Sequence, residues 1–188
     1  MAEHRHVCPW WIGYLLISPL RRWMQNPEKI LEPYIKTGMT VMDVGSAMGF
    51  YSLPMAKMVG TTGKVLCIDL QEKMIKSLKK RAAKAGLSNR IETRLCSHDA
   101  LGIEDMAGKI DFVLAFAVIH EVPDSERLLS EIHQAMKQDS HFLVAEPPGH
   151  VSDNAFKESI AQARRCGFEA IEYPEISRSH AALLHKKK

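Results

Sequence analysis

Two acids and a bend of small residues carry the most chemistry in this chain. Asp43 stands two positions before Gly45-Ser46-Ala47-Met48-Gly49, and Asp69 follows Gly49 by twenty residues. A bend with little or no Cβ lets a ligand approach the backbone N–H groups, and the helix that starts there adds its positive end. A second carboxylate closing the neighbouring strand falls where the two hydroxyls of a ribose would present themselves. Either feature alone says little, because glycines close turns in most α/β proteins. Together, at this separation, they point to a nucleoside-shaped ligand. Further titratable side chains gather at two later positions of the same kind, His120 and Glu121 after one apolar run, Glu146 and His150 after another. These are the nearest candidates for a general base, should the reaction need one.

Such residues can meet only if a parallel sheet brings strand ends together. Residues 41–44 read as a first strand, after which Phe50, Leu53 and Met55 begin an apolar pattern at helical spacing. Lys64–Asp69 reads as the second strand. Residues 71–85 set Met74, Ile75, Leu78, Ala82 and Ala85 on one face, with Lys73, Lys76, Lys80 and Lys84 opposite as a solvated stripe, and Gly86 closes that helix. Residues 90–96 form a third strand, and residues 110–119 are the nearly continuous apolar run that a central parallel strand requires. After Val122-Pro123-Asp124 a helix carries Leu128, Leu129, Ile132 and Met136, and residues 141–145 make the fifth strand. Asp153–Arg165 is helical with Phe156, Ile160 and Ala163 inward; residues 168–173 and 180–185 lie too close for a crossover helix and should pair antiparallel. Upstream, Asn26-Pro27-Glu28 is a helix start, with a cap, a proline at the first position and an acid at the positive end. Its helix carries Ile30, Leu31 and Tyr34 and is expected to stop near Thr37-Gly38. The alternation is that of an α/β, doubly wound sheet.

At 188 residues, 46% of them hydrophobic and 25% charged, the chain is expected to be one soluble globular domain. A net charge of +3 is too small for a nucleic-acid footprint, so no nucleic-acid partner is expected. Cys8, Cys67, Cys96 and Cys166 are scattered without a CxxC pair, which points to free thiols in a reducing compartment and a cytoplasmic protein. His4, His6 and Cys8 alternate like ligands, but no metal site is expected from them. Residues 1–25 concentrate Trp10, Trp11 and Trp23 with Tyr14, Leu15, Leu16 and Ile17. Gly13 and Pro19 interrupt the apolar part, which is about half the length that spans a bilayer. This aromatic arm is read either as extra core on the sheet's flank or as a lid over an acceptor pocket. Peripheral membrane contact, with Arg21 and Arg22 at headgroup level, is the third reading. The division is therefore 1–25 as arm or lid and 26–188 as a single domain, with no oligomeric state assigned.

The run from Asp43 to Gly49 has the form D-x-G-x-[GA]-x-G. It resembles the first motif of class I S-adenosylmethionine-dependent methyltransferases and differs from the G-x-G-x-x-G of nicotinamide-dinucleotide sites. The resemblance extends over roughly four fifths of the chain. Residues 116–124, FAVIHEVPD, are similar to the V-x-H-H-V-x-D region of the ubiquinone/menaquinone-biosynthesis C-methyltransferase-like group, with Glu121 in place of the second histidine. Ala47 departs from the glycine usual at its position. The resemblance implies a Rossmann-like seven-stranded sheet of order 3-2-1-4-5-7-6 with the last strand antiparallel, and S-adenosylmethionine as cofactor, leaving as S-adenosylhomocysteine. Asp43, Gly45, Ser46, Ala47 and Gly49 would then hold the methionine part, Asp69 the ribose hydroxyls, and Leu70 would lie against adenine. The acid usual after the third strand is replaced by Ser97, so Ser97, His98 and Asp99 all stand as candidates near the adenine. Ala115 and Phe116 would line the cofactor and His120 would face the acceptor, with Glu121 and Glu146 as further catalytic candidates. The implied activity is methyl transfer to a small, fairly apolar acceptor such as a quinone or lipid. A non-catalytic S-adenosylmethionine-binding protein or partner subunit is the alternative.

Overall fold

The computed structural model describes residues 19–187. The arm's residues 1–18, with Cys8, His4, His6, Trp10 and Trp11, lie outside the described residues. Two short helices, α1 (Pro19–Met24) and α2 (Pro27–Leu31), precede β1 (Thr40–Val44), α3 (Ser52–Met58), β2 (Lys64–Asp69), α4 (Glu72–Lys84) and β3 (Ile91–Leu95). Then come β4 (Ile110–Phe116), α5 (Ser125–Ala135), β5 (Met136–Glu146), α6 (Asp153–Arg165), β6 (Phe168–Glu172) and β7 (His180–Lys186). The strands form one sheet in the order β3-β2-β1-β4-β5-β7-β6. Strands β3, β2, β1, β4 and β5 pair in parallel, while β7 is antiparallel to both β5 and β6.

Alternate residues of the central strands face opposite ways, and each set has its own apolar cluster. Met42, Leu66, Val113 and Phe142 pack on one face with Leu129 and Ile132 of α5 and Ile160 of α6. Val41, Val65, Phe112 and Leu143 pack on the other with Leu31 of α2, Met55 of α3 and Leu78 of α4. Full burial of each such side chain is worth about 1.5–3 kcal/mol, so both faces must be covered for the sheet to persist. The lysine stripe of α4 is exposed opposite Met74, Ile75, Leu78 and Ala82, as its spacing implied, whereas Ala85 is exposed as the helix's C-cap.

Three boundaries differ from the sequence-based expectation by three residues or more. Helix α2 starts as expected, with Asn26 Oδ1 accepting from Lys29 N–H at 3.2 Å, but it ends at Leu31. Pro33 has no N–H with which to continue it. Strand β4 stops at Phe116 because Ala117 adopts φ 60°, and residues Ile119–Glu121 form a single 3₁₀ turn. Strand β5 begins five residues early, at Met136, which pairs with Ile110 before residues 137–140 loop out and His141 meets Phe112. No helix among the described residues is long and apolar enough to cross a membrane.

Candidate functional site

A cavity of about 1150 Å³ opens at the carboxyl ends of β1, β2 and β4, where the strand order reverses. Its floor is the bend after β1. Gly45, Ala47 and Gly49 have φ of 70°, 45° and 84°, and the N–H groups of Gly45 and Ser46 both donate to Ile68 O at 2.9 Å, which ties the bend to β2. Asp69 completes the tie. Its Oδ2 accepts from Ala47 N–H and its Oδ1 from Gln71 N–H, both at 2.8 Å. Burial pushes the Asp69 carboxyl up, and these two backbone N–H bonds oppose the shift. Each carboxylate oxygen keeps a second lone pair, so two hydroxyls can still be received. From beneath, the Arg81 guanidinium of α4 donates to Met48 O and fixes the bend's backbone.

Asp43 lies deeper, 3% exposed, and accepts from Ser52 Oγ at 2.5 Å. Burial pushes its carboxyl up to about 7; the Ser52 bond and the Arg21 guanidinium pull it down, while Asp69 adds to the rise. Arg21 enters from α1 and lies 4.4 Å from the Phe50 ring centroid and 5.7 Å from those of Tyr51 and Phe116. Helix α1 is held there by Gln25, whose Nε2 donates to Ser177 O at 2.9 Å and to Ser179 Oγ at 3.3 Å, both in the loop between β6 and β7.

The opposite wall comes from the ends of β4 and β5. Glu146, 1% exposed, accepts from Ile119 N–H through Oε1 at 2.8 Å, and its Oε2 lies 2.5 Å from His120 Nδ1. The His120 ring lines the cavity and stacks on His150 at 5.7 Å between centroids. Beyond them Ser125 Oγ donates to Gln162 Oε1 at 2.8 Å, joining the start of α5 to α6. Among the described residues no group of three or more His, Cys, Asp or Glu side chains could hold a metal ion.

Residues 35–181 match a family model described as a methyltransferase domain. The chain belongs to that family. Among curated proteins it is similar to the ubiquinone/menaquinone biosynthesis C-methyltransferase UbiE of Escherichia fergusonii, 26% identical over 112 residues, which are 60% of this chain and 44% of that protein. The chain thus spans less than half the length of the curated relatives it matches. Among solved structures, a SAM-dependent methyltransferase from Aquifex aeolicus is 25% identical with a TM-score of 0.84, covering 95% of this chain and 98% of that one. A putative S-adenosylmethionine-dependent methyltransferase from Methanococcus maripaludis, 16% identical, shares the fold at a TM-score of 0.78 over 100% of this chain and 98% of its own.

The cofactor that this methyltransferase fold implies is S-adenosylmethionine, and the residues present fit it. The Ser46 hydroxyl is buried without a hydrogen-bond partner at the bend, and Asp69 reaches that bend from the next strand. Of the expected cofactor residues, Asp43, Gly45, Ser46, Ala47, Asp69, Leu70 and Phe116 all line the cavity. Two corrections follow from the strand and bend geometry. Ala115 is fully buried and does not reach the cavity, because the alternation along β4 gives that place to Phe116 alone. Gly49 is also buried, where a Cβ would come within 3.2 Å of Leu78 Cγ, and its N–H donates to Ser46 O at 2.9 Å to close the bend. After β3, Ser97, His98 and Asp99 are at the exposed rim, and the Ser97 hydroxyl is engaged in its own turn, accepting from Asp99 N–H and Ala100 N–H at 3.3 and 3.1 Å. Of the catalytic candidates, His120 and Glu121 line the cavity, while Glu146 stands behind His120. Arg21 is the residue that sequence reasoning missed. Its arm is read from sequence as extra core, a lid or, third, a headgroup contact, none of which gives Arg21 a place among the cofactor residues; it points into the site, whereas Trp23 of the same helix is 84% exposed.

Gly45 supports a direct prediction. A Cβ there would come within 2.1 Å of Val118 Cγ2, at a φ that L-residues rarely adopt. Gly45→Ala is therefore expected to lower stability by about 2 kcal/mol or more and to weaken cofactor binding with it. Thermal unfolding and S-adenosylhomocysteine titration of the variant check this.

Proposed function

We propose that the protein transfers a methyl group from S-adenosylmethionine to a small molecule bound beside His120. The observation that carries this reading is the 2.8 Å bond from the bend's Ala47 N–H to Asp69, which makes the two halves of the motif one site. Asp69 and the bend grip the nucleoside and the methionine part, Leu70 lies against the adenine, and His98 or Asp99 closes the rim. Arg21, the cation nearest the aromatic rings of Phe50 and Tyr51, receives the methionine carboxylate. When bound, the cofactor supplies a methyl group already activated on a sulfonium sulfur. What remains for the chain is to align the acceptor and exclude water, a contribution that can reach ~7–11 kcal/mol when the geometry is close to reactive.

The likeness to UbiE, whose name refers to ubiquinone and menaquinone, supports a quinone-type ring as acceptor. The mixed wall, Val122, Leu128 and Val151 beside His120, His150 and Gln162, suits a ring bearing polar groups better than a plain lipid chain. The free thiols of Cys67, Cys96 and Cys166 support a cytoplasmic setting.

The test is to incubate the full chain with S-adenosylmethionine and a broad acceptor panel and to measure S-adenosylhomocysteine release. Turnover with at least one acceptor is expected. Binding of the cofactor with no turnover across the panel would favour the non-catalytic alternative. Arg21→Ala is expected to weaken S-adenosylhomocysteine binding about tenfold, the loss of one charge-assisted contact, with little change in melting temperature. Calorimetric titration and thermal unfolding read the two effects separately.

A further inference from the structure

Resting on the methyl-transfer reading, we infer that the acceptor carries an acidic hydroxyl, as in a phenol, quinol or enol, and that His120 is the base that takes its proton, held in place by Glu146. Glu146 is 1% exposed, and taking a carboxylate out of water costs several kcal/mol unless it is well paired. Both its oxygens are committed to the end of β4, one to Ile119 N–H and one to His120 Nδ1. The sheet itself needs neither bond. Ala117, at φ 60°, turns the chain out of β4 two residues earlier and thereby brings Ile119 and His120 onto the carboxylate. One buried carboxylate thus fixes both the backbone of the turn and the orientation of its imidazole.

The consequence for the ring is a defined tautomer. With Nδ1–H donated to Glu146, the ring's basic lone pair is the one on Nε2, on the other edge of the imidazole. The ring edges the cavity, and the carboxylate behind it stabilises the imidazolium that forms when Nε2 takes a proton. Among the described residues, the titratable groups against the ring are Glu146 from β5 and His150 from the turn after β5, and Glu121 of its own turn lines the same cavity. The acceptor's O–H bond breaks, its proton going to Nε2, and the oxygen, or a ring carbon conjugated with it, forms a bond to the methyl carbon. The methyl–sulfur bond breaks with its electron pair going to sulfur, which leaves as a neutral thioether. In the carbon case the dienone so formed gives its ring C–H proton to water and its oxygen takes one proton back, which restores the aromatic ring and its hydroxyl with a net release of one proton per transfer. The imidazolium returns its proton to water. An acceptor that attacks through a ready lone pair, such as a thiolate or trivalent arsenic, has no use for this pair.

Three measurements on the full chain test the inference. The first is ¹⁵N NMR of the imidazoles at pH 8 without acceptor. His120 is expected to carry its proton on Nδ1, and Glu146→Gln should shift the tautomer balance; a proton on Nε2 in the wild type would overturn the proposal. The second is S-adenosylhomocysteine release with catechol and 1,4-naphthohydroquinone against 2-mercaptoethanol and arsenite. The hydroxylated rings should turn over, at a rate that rises with pH through one ionisation. His120→Asn should lower kcat by about 10²–10⁴-fold. Glu146→Gln should lower kcat by about 10–100-fold with KM little changed and the pH step displaced, and Glu146→Asp should recover part of the loss. Turnover of the thiol or arsenite alone, or a His120→Asn variant as active as wild type, would refute it, and if no probe turns over the tautomer measurement decides. The third is S-adenosylhomocysteine titration. Binding that survives while the first two measurements fail removes this inference and leaves the cofactor reading standing, whereas absent binding removes that reading itself.

Discussion

Asp69→Asn is expected to weaken S-adenosylhomocysteine binding by about 100-fold, the largest effect on cofactor affinity in the site. The carboxylate accepts two backbone N–H groups, Ala47 and Gln71, and would receive two ribose hydroxyls on its remaining lone pairs. An amide keeps one accepting oxygen and turns an NH₂ toward the other N–H, so one charge-assisted pair is lost and one donor is left facing a donor. Hydrogen bonds to a charged group contribute about 1.5–3 kcal/mol each, and 1.4 kcal/mol is tenfold in affinity. Because the same bond holds Ala47 at φ 45°, the variant also loosens the bend. Calorimetric titration reads the affinity, and a near-native melting temperature would separate loss of the contact from loss of the fold.

The second large effect lies at Asp43 and has opposite signs for stability and for binding. Its carboxyl is pushed from the ordinary value up to about 7, chiefly by burial. A raised folded-state value means that the folded chain holds a proton the unfolded chain has released. The stabilisation is therefore complete below about pH 4 and is lost as the pH rises to about 7. Asp43→Asn, which still accepts from Ser52 Oγ, removes that loss, and should be more stable than wild type by roughly 2–4 kcal/mol at pH 8 with no advantage at pH 4. Denaturant melts at the two values check the sign. Binding goes the other way. The cofactor's cationic groups favour the ionised carboxylate, so wild-type affinity should rise through about pH 7 with release of a proton, and Asp43→Asn should lose that dependence. Titrations in buffers of different ionisation enthalpy count the proton.

Part of this site was legible because strand, helix and strand have regular lengths. The separation of twenty residues from Gly49 to Asp69 is what one helix and one strand occupy, so the spacing already implied that bend and carboxylate lie side by side. The seven-strand order, implied by the resemblance, is the order found, and the antiparallel closing pair followed from the short gap before β7. The end of β4 was legible as a place and not as a geometry. Alanine rarely adopts a positive φ, and nothing in residues 116–119 marks Ala117 as doing so; strain of this kind is held by the surrounding structure and gathers at functional sites. The pairing of Glu146 with His120 depends on β4 and β5 being neighbours, which brings together residues 26 apart. Arg21 was illegible for a related reason. Its placement depends on Gln25 anchoring α1 to the β6–β7 loop, a contact across 152 residues that no local period encodes.

The central claim is that the bend after β1 and the carboxylate closing β2 hold one sulfonium nucleoside between them. Calorimetric titration of the full chain with S-adenosylhomocysteine, repeated with Asp69→Asn and with NADH as competing ligand, tests it most directly. The wild type should give a saturable single-site isotherm that nearly disappears in the variant, and NADH should give no heat. A flat trace with S-adenosylhomocysteine, or binding of NADH in its place, would contradict it.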